Sequence, residues 1–224
     1  MKRFLRDNSL AIFFLAIFLL ALGFQSLAGW QDFNNSQLRH DGESIGYGRY
    51  LLSSEFGVAM LENWQSEYLQ FALYITATVW FLQRGSPESK ELDQAGSESN
   101  KEQKIGRHAD DDSPLWARVG GLRTRVYSNS LLIVMGTIWL LSWLGQSITG
   151  RVAYNAERLE HHQAGLDYVQ YLGSADFWER TLQNWQSEFL AVGSMAILAV
   201  YLRQRGSPES KPVGEGHGHT GVTG

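Results

Sequence analysis

Long uncharged stretches alternate with polar connections along this chain. Residues 9 to 28 carry no charge and are mostly Leu, Ala, Ile and Phe. At 1.5 Å per residue, a helix over them covers about 30 Å, the thickness of a bilayer core. Residues 68 to 82 are also uncharged, and the stretch from 64 to 83 around them makes a second span. Comparable stretches lie at about 130–149 and 185–203. The pattern predicts four transmembrane helices.

The pattern also repeats. Sliding residues 8–90 by 121 positions onto 129–211, without a gap, leaves about 34 of 83 positions identical. Asn63-Trp64-Gln65-Ser66-Glu67 falls on Asn184-Trp185-Gln186-Ser187-Glu188, and Gln83 through Lys90 falls on Gln204 through Lys211. Self-similarity of this kind fixes the architecture before any local assignment. The predicted fold is an all-α membrane protein whose four transmembrane helices form two parallel two-helix repeats, with long, partly helical outer loops. The first repeat covers 1–90 and the second 115–211. Between them, residues 91–114 read as a flexible cytoplasmic linker, rich in Glu, Lys, Ser and Asp, and 212–224 read as a disordered tail.

Charge changes the picture by giving it a direction. Of the 19 Lys and Arg residues, 14 fall at the N-terminus, between 84 and 128, or from 203 onward. The other side keeps only Arg39, Arg49, Arg151, Arg158 and Arg180. Basic residues concentrate on the cytoplasmic side, so both termini are expected there. The basic start and apolar run also resemble a secretory signal, but the same run recurs mid-chain at 130–149, which favours an uncleaved span. With no cysteine, the outer loops must be held by packing or by lipid.

Each outer loop is about 35 residues, and its Asn, Tyr, Leu and Ser positions recur in the second copy. Here the sequence predicts a short helix near 152–163, a turn at Gly165, and a long helix starting near Ser174 or Asp176, with Asp176 as its cap. Gln83-Arg84-Gly85-Ser86-Pro87 reads as a helix stop, with Gly for a left-handed turn and Pro as a barrier. Trp30, Trp64, Trp178 and Trp185 fall at the outer interface and Trp80 and Trp116 near the inner one, as an aromatic belt.

Candidate chemistry is sparse. Glu67 and Glu188 are the strongest candidates, since a carboxylate bordering hydrocarbon needs water, a partner or its twin to offset desolvation. Asn63, Ser66, Gln25 and their counterparts Asn184, Ser187 and Gln146 lie at similar depth and could complete a polar or ion site. Small residues in the second and fourth spans favour their contact at the centre. His40, His161 and His162 are weak metal candidates, because a metal site needs three or four convergent ligands. No catalytic motif, cofactor fingerprint or basic patch for nucleic acid occurs, so neither an enzyme nor a cofactor is expected.

The Asn-Trp-Gln-Ser-Glu-(Phe/Tyr)-Leu stretch, followed by Gln-Arg-Gly-Ser-Pro-Glu-Ser-Lys, resembles a bacterial family of small four-span membrane proteins known only as a domain of unknown function. The resemblance covers nearly the whole chain and implies an inner-membrane location, without an activity to carry over. The expected function is a non-enzymatic envelope module that acts through lipid or a protein partner, including a second copy. The alternative is a small, proton-linked transporter or channel with Glu67 and Glu188 on its pathway.

Overall fold

The computed structural model describes residues 2–40 and 42–224; the side chain of Lys2, counted above among the basic residues, lies outside the described part. Every long element in it is a helix: α1 (Lys2–Asp7), α2 (Ser9–Arg39), α3 (Tyr47–Leu51), α4 (Ser54–Trp80), α5 (Leu115–Arg118), α6 (Gly121–Ser128), α7 (Ser130–Glu160), α8 (Tyr168–Leu172) and α9 (Ala175–Tyr201). The bounds of α2, α3 and α4 reappear in α7, α8 and α9 at an offset of 121 residues.

Among the described residues, α2 and α7 are the two helices long and apolar enough to cross a membrane. The expectation of four such helices is therefore corrected to two. The cause lies in the first halves of the others: α4 carries Glu55, Glu62 and Glu67, and α9 carries Asp176, Glu179, Arg180 and Glu188. Uncharged helix remains only over 68–80 and 189–201, about 20 Å in each case. In contrast, α2 and α7 have 31 residues each, or about 46 Å. The short helix expected near 152–163 is the continuous C-terminal end of α7. Helix propagation adds a hydrogen bond per residue without a new nucleus, so polar sequence simply extends the apolar segment.

The chain divides into two compact units, residues 1–60 with 145–171, and 61–144 with 172–224. In the first unit, α2 and the outer part of α7 are each clasped by the chain that folds back on them. Ser26 and Tyr47 share a hydroxyl hydrogen bond of 2.7 Å, and Ser147 and Tyr168 one of 2.6 Å. The Asn34 side chain accepts from the Ile45 amide at 2.8 Å and donates to the Ile45 carbonyl at 3.1 Å. Asn155 does the same with Leu166, at 2.8 and 2.9 Å. Glycine makes the closest approach possible: a Cβ at Gly29 would overlap the Tyr50 hydroxyl, and one at Gly150 the Tyr171 hydroxyl. The outer end of α4 joins this packing, with Gly57 against Thr149 and Val58 against Gly150.

The start of α9 corrects another expectation. Ser174, not Asp176, is the N-cap, and its hydroxyl accepts from the Phe177 amide at 3.3 Å; Ser53 accepts from Phe56 at the same distance. Asp176 instead binds Arg180 one turn on, at 3.0 Å. Serine is short enough to reach back to N3, whereas an acid in the first turn has its favourable interaction with the helix dipole left over for a basic partner.

Candidate functional site

In the second unit α4 and α9 meet through polar groups at one end and line a shared cavity at the other. At the first end, Gln65 is fully buried. Its Oε1 accepts the Trp185 indole N–H at 2.8 Å, and its Nε2 donates to the Glu62 carbonyl at 3.0 Å. Nearby, the Arg180 guanidinium lies 3.5 Å from the Glu62 carboxylate and 3.0 Å from Asp176. Burial lifts the Glu62 carboxyl above its usual range, and the charge of Arg180 pulls it back only in part. Trp185 also faces Trp143, whose ring packs on Trp139, Phe177 and Trp178. Trp178 donates to the Leu172 carbonyl at 3.0 Å. Trp30, in the first unit, donates to the Ile45 carbonyl at 2.7 Å. Three of the tryptophans expected in the outer belt thus use their N–H groups within the protein.

The residues singled out from sequence are distributed more widely than expected. Glu188 is half-buried and Glu67 exposed, close enough for Glu188 to feel the charge of Glu67. Ser66 is buried and donates to the Asn63 carbonyl at 2.8 Å; Ser187, exposed, donates to Asn184 at 2.9 Å. Asn184 donates to the Arg180 carbonyl at 2.9 Å. Both serine hydroxyls are thereby committed to their own helix, a habit of Ser that withdraws the hydroxyl from a shared site. Gln25, exposed, and Gln146, fully buried, belong to the first unit. His40, His161 and His162 are all exposed, and among the described residues no group of three His, Cys, Asp or Glu could hold a metal ion.

The C-terminal ends of α4 and α9 hold a feature that sequence reasoning missed. The repeated Gln-Arg-Gly-Ser-Pro-Glu-Ser-Lys motif does more than end a helix, since α4 and α9 have already stopped at Trp80 and Tyr201. Ser86 N–H reaches Gln83 O at 3.1 Å, and Ser207 N–H reaches Gln204 O at 3.2 Å. Gly85 and Gly206 take φ of 82° and 81° at the third turn position, which other residues resist. The Ser89 hydroxyl then accepts from the Gln83 amide at 3.0 Å and donates to Lys90 O at 2.9 Å; Ser210 repeats both bonds at 2.9 and 3.1 Å. The motif is a closed turn, which fixes where its glutamate points.

Those glutamates, Glu88 and Glu209, line a cavity of about 360 Å³ with Gln70, Phe71, Tyr74, Ala191, Val192 and Met195. These eight residues are four pairs, each 121 positions apart. The Tyr74 hydroxyl donates to Glu88. Hydrogen bonding to Glu88, and then its charge, hold the Glu209 carboxyl above the usual carboxylate range. Two carboxyl groups placed this way share a proton more readily than they ionise together. A signal was present in sequence, the identity of both Glu and their surroundings, but only the folded turn shows that they meet.

A group whose folded pKa is raised adds stability while it is protonated and loses it as pH rises through that value. Glu209→Gln is therefore expected to flatten the fall in melting temperature just above the usual carboxylate range, measured in detergent from about pH 4 to about pH 8. An unchanged slope would show that the two carboxyls titrate independently.

No curated protein and no solved structure matches the chain. One family does, over residues 1–222, and the chain belongs to it: the family described as "Domain of unknown function (DUF6766)".

Proposed function

We infer that this is a multi-pass membrane protein that works by contact with lipid or a protein partner and not by catalysis. The observation that carries the reading is the surface of α2. Leu10, Phe13, Leu15, Phe18, Leu19 and Leu20 are all exposed, and at about 100° per residue they point around the helix in every direction. Soluble proteins seldom leave an apolar surface of that extent to water, whereas lipid tails solvate it without cost. The second apolar helix, α7, exposes Leu131, Val134, Leu140, Leu141 and Leu144 along one side. On this reading the uncharged parts of α4 and α9 also cross, aided by the interface at their charged ends, giving four crossings with both termini and residues 84–128 in the cytoplasm of a bacterial inner membrane. Phe71, Trp80, Leu190, Ile197 and Leu198, exposed on those two helices, are in keeping with lipid contact.

Because the chain has no native cysteine, topology can be tested cleanly. Single cysteines at Ser44 and Ser99 are treated with an impermeant thiol reagent on intact cells. Labelling at 44 and protection at 99 is the expected result. The opposite pattern overturns the orientation, and labelling of neither or both overturns the crossing number. A transport role draws on one observation, the half-buried Glu188 placed near Glu67, and solute flux in proteoliposomes that vanishes in Glu188→Gln would establish it.

A further inference from the structure

We propose that the inner side of the second unit binds the phosphate of an anionic phospholipid through Lys101, Arg107 and Arg125. A cavity of about 1200 Å³ lies there. Its wall is made by Val79 at the inner end of α4, by the segment 97–108, by the first turn of α6, and by Ser128 and Asn129 at the mouth of α7.

The charge around this space is one-sided. Four Lys or Arg residues line it against a single carboxylate, Glu98, and Glu98 is already paired with Lys90 at 2.7 Å. The neighbouring acids are engaged as well: Glu102 accepts the amide and hydroxyl of Ser99, both at 2.7 Å, and Asp110 holds Lys104 at 2.5 Å. Lys101, Arg107 and Arg125 form no ion pair among the described residues. Cations gathered round one concavity repel each other until an anion enters, and guanidinium groups bind phosphate oxygens through two parallel hydrogen bonds. Gly120 and Gly121, with φ of 72° and 68°, add wall without side chains.

Depth selects a lipid as the source of that phosphate. The proposal rests on the membrane reading above, in which Asn129 lies at the cytoplasmic surface where the α7 span begins. Just before it, α6 exposes Leu122, Val126 and Tyr127 beside Arg123 and Arg125, the composition of a segment lying in the headgroup layer. Thr124 Oγ1 donates to the Trp116 carbonyl at 2.6 Å and Trp116 meets Tyr127 edge-on, so α5 and α6 hold the basic rim as one piece. Juxtamembrane basic groups on the cytoplasmic side meet an anionic leaflet.

The test uses the full chain in detergent micelles, titrated with phosphatidylglycerol or phosphatidylcholine, with bound lipid counted by native mass spectrometry. Preferential retention of phosphatidylglycerol is expected. Arg107→Gln with Arg125→Gln lowers that retention about 30-fold, roughly fivefold for each basic side chain at an anionic surface. The corresponding double lysine variant keeps most of it, and Arg39→Gln with Arg49→Gln leaves it unchanged. Equal retention of the two lipids, or unchanged binding by the double Gln variant, overturns the proposal. So does inorganic phosphate that binds but is not displaced by phosphatidylglycerol, which assigns the site to a soluble anion. A chain found in the soluble fraction of cells fails the membrane reading instead; an integral protein without lipid preference fails this proposal alone.

Discussion

Tyr171→Ala is expected to destabilise the protein by about 3–5 kcal/mol, the range for removing a fully buried aromatic ring. Tyr171 is the largest side chain with no exposure at all, and its ring stands 5.8 Å from that of Tyr154. Its hydroxyl lies where a Cβ on Gly150 would be, so the ring fills the space that the missing side chain leaves. Gly150→Ala alone therefore overpacks the site, at about 1–3 kcal/mol. In the Tyr171→Ala background the same substitution should cost much less, because the methyl then enters an emptied space and the two changes are coupled. Thermal and denaturant unfolding in detergent, followed by circular dichroism, measure all three variants. Leu52→Ala, at a 91% exposed position, is the control and should stay within about 0.5 kcal/mol. A loss below about 1 kcal/mol for Tyr171→Ala would show that the clasp does not hold the first unit together.

Arg180→Met carries the second largest effect, and it depends on pH. The substitution keeps much of the packing but leaves Glu62 and Asp176, with side chains 21% and 17% exposed, without their shared cation. Removing one partner of a fully buried pair costs about 3–5 kcal/mol. Arg180 is itself 37% exposed, so solvent screening reduces the expected loss to about 1–3 kcal/mol at neutral pH. The sign with pH is fixed. Burial already raises the Glu62 carboxyl, and loss of Arg180 raises it further. Such a carboxyl favours folding while protonated and disfavours it once ionised, so the variant should recover stability on acidification through the carboxylate range. Adding Glu62→Gln to Arg180→Met should restore part of the loss at about pH 8 and little at about pH 5, read from melting temperatures. A pH-independent deficit would mean that Arg180 contributes packing alone.

The long elements were legible because they depend on local composition. An uncharged run of hydrocarbon side chains makes α2 and α7 evident, and the 121-residue offset anticipates that helix bounds coincide. Partnerships were not legible. Gln65 sits in the same motif as Glu67 and offers no sign that it, and not the glutamate, would be fully buried and bonded to Trp185. Two residues of displacement along a helix turn a side chain by about 200°, which decides between a neighbouring helix and the surface. Glu88 and Glu209 were hidden for another reason. Their meeting depends on two turns closed by Ser89 and Ser210, and a Gly-Ser-Pro sequence signals only that a helix cannot go on. The same limit applied to Asp176, whose capping pattern was correct in type but shifted by two residues from the serine that does the work.

On the membrane reading proposed above, the hydroxyl clasp also bears on how the protein fits bilayers of different thickness. Ser26 and Ser147 sit near the outer ends of the two apolar runs, each tied to a tyrosine of the returning chain. That chain is a bulky polar collar, and a helix cannot slide inward past it. A thicker bilayer is matched only by local thinning of lipid around the collar, while a thinner one is matched by tilt of the helix segments 9–25 and 130–146 below it. The protein should therefore tolerate short acyl chains better than long ones, and reconstitution into lipids of graded chain length would reveal this as a one-sided loss of thermal stability.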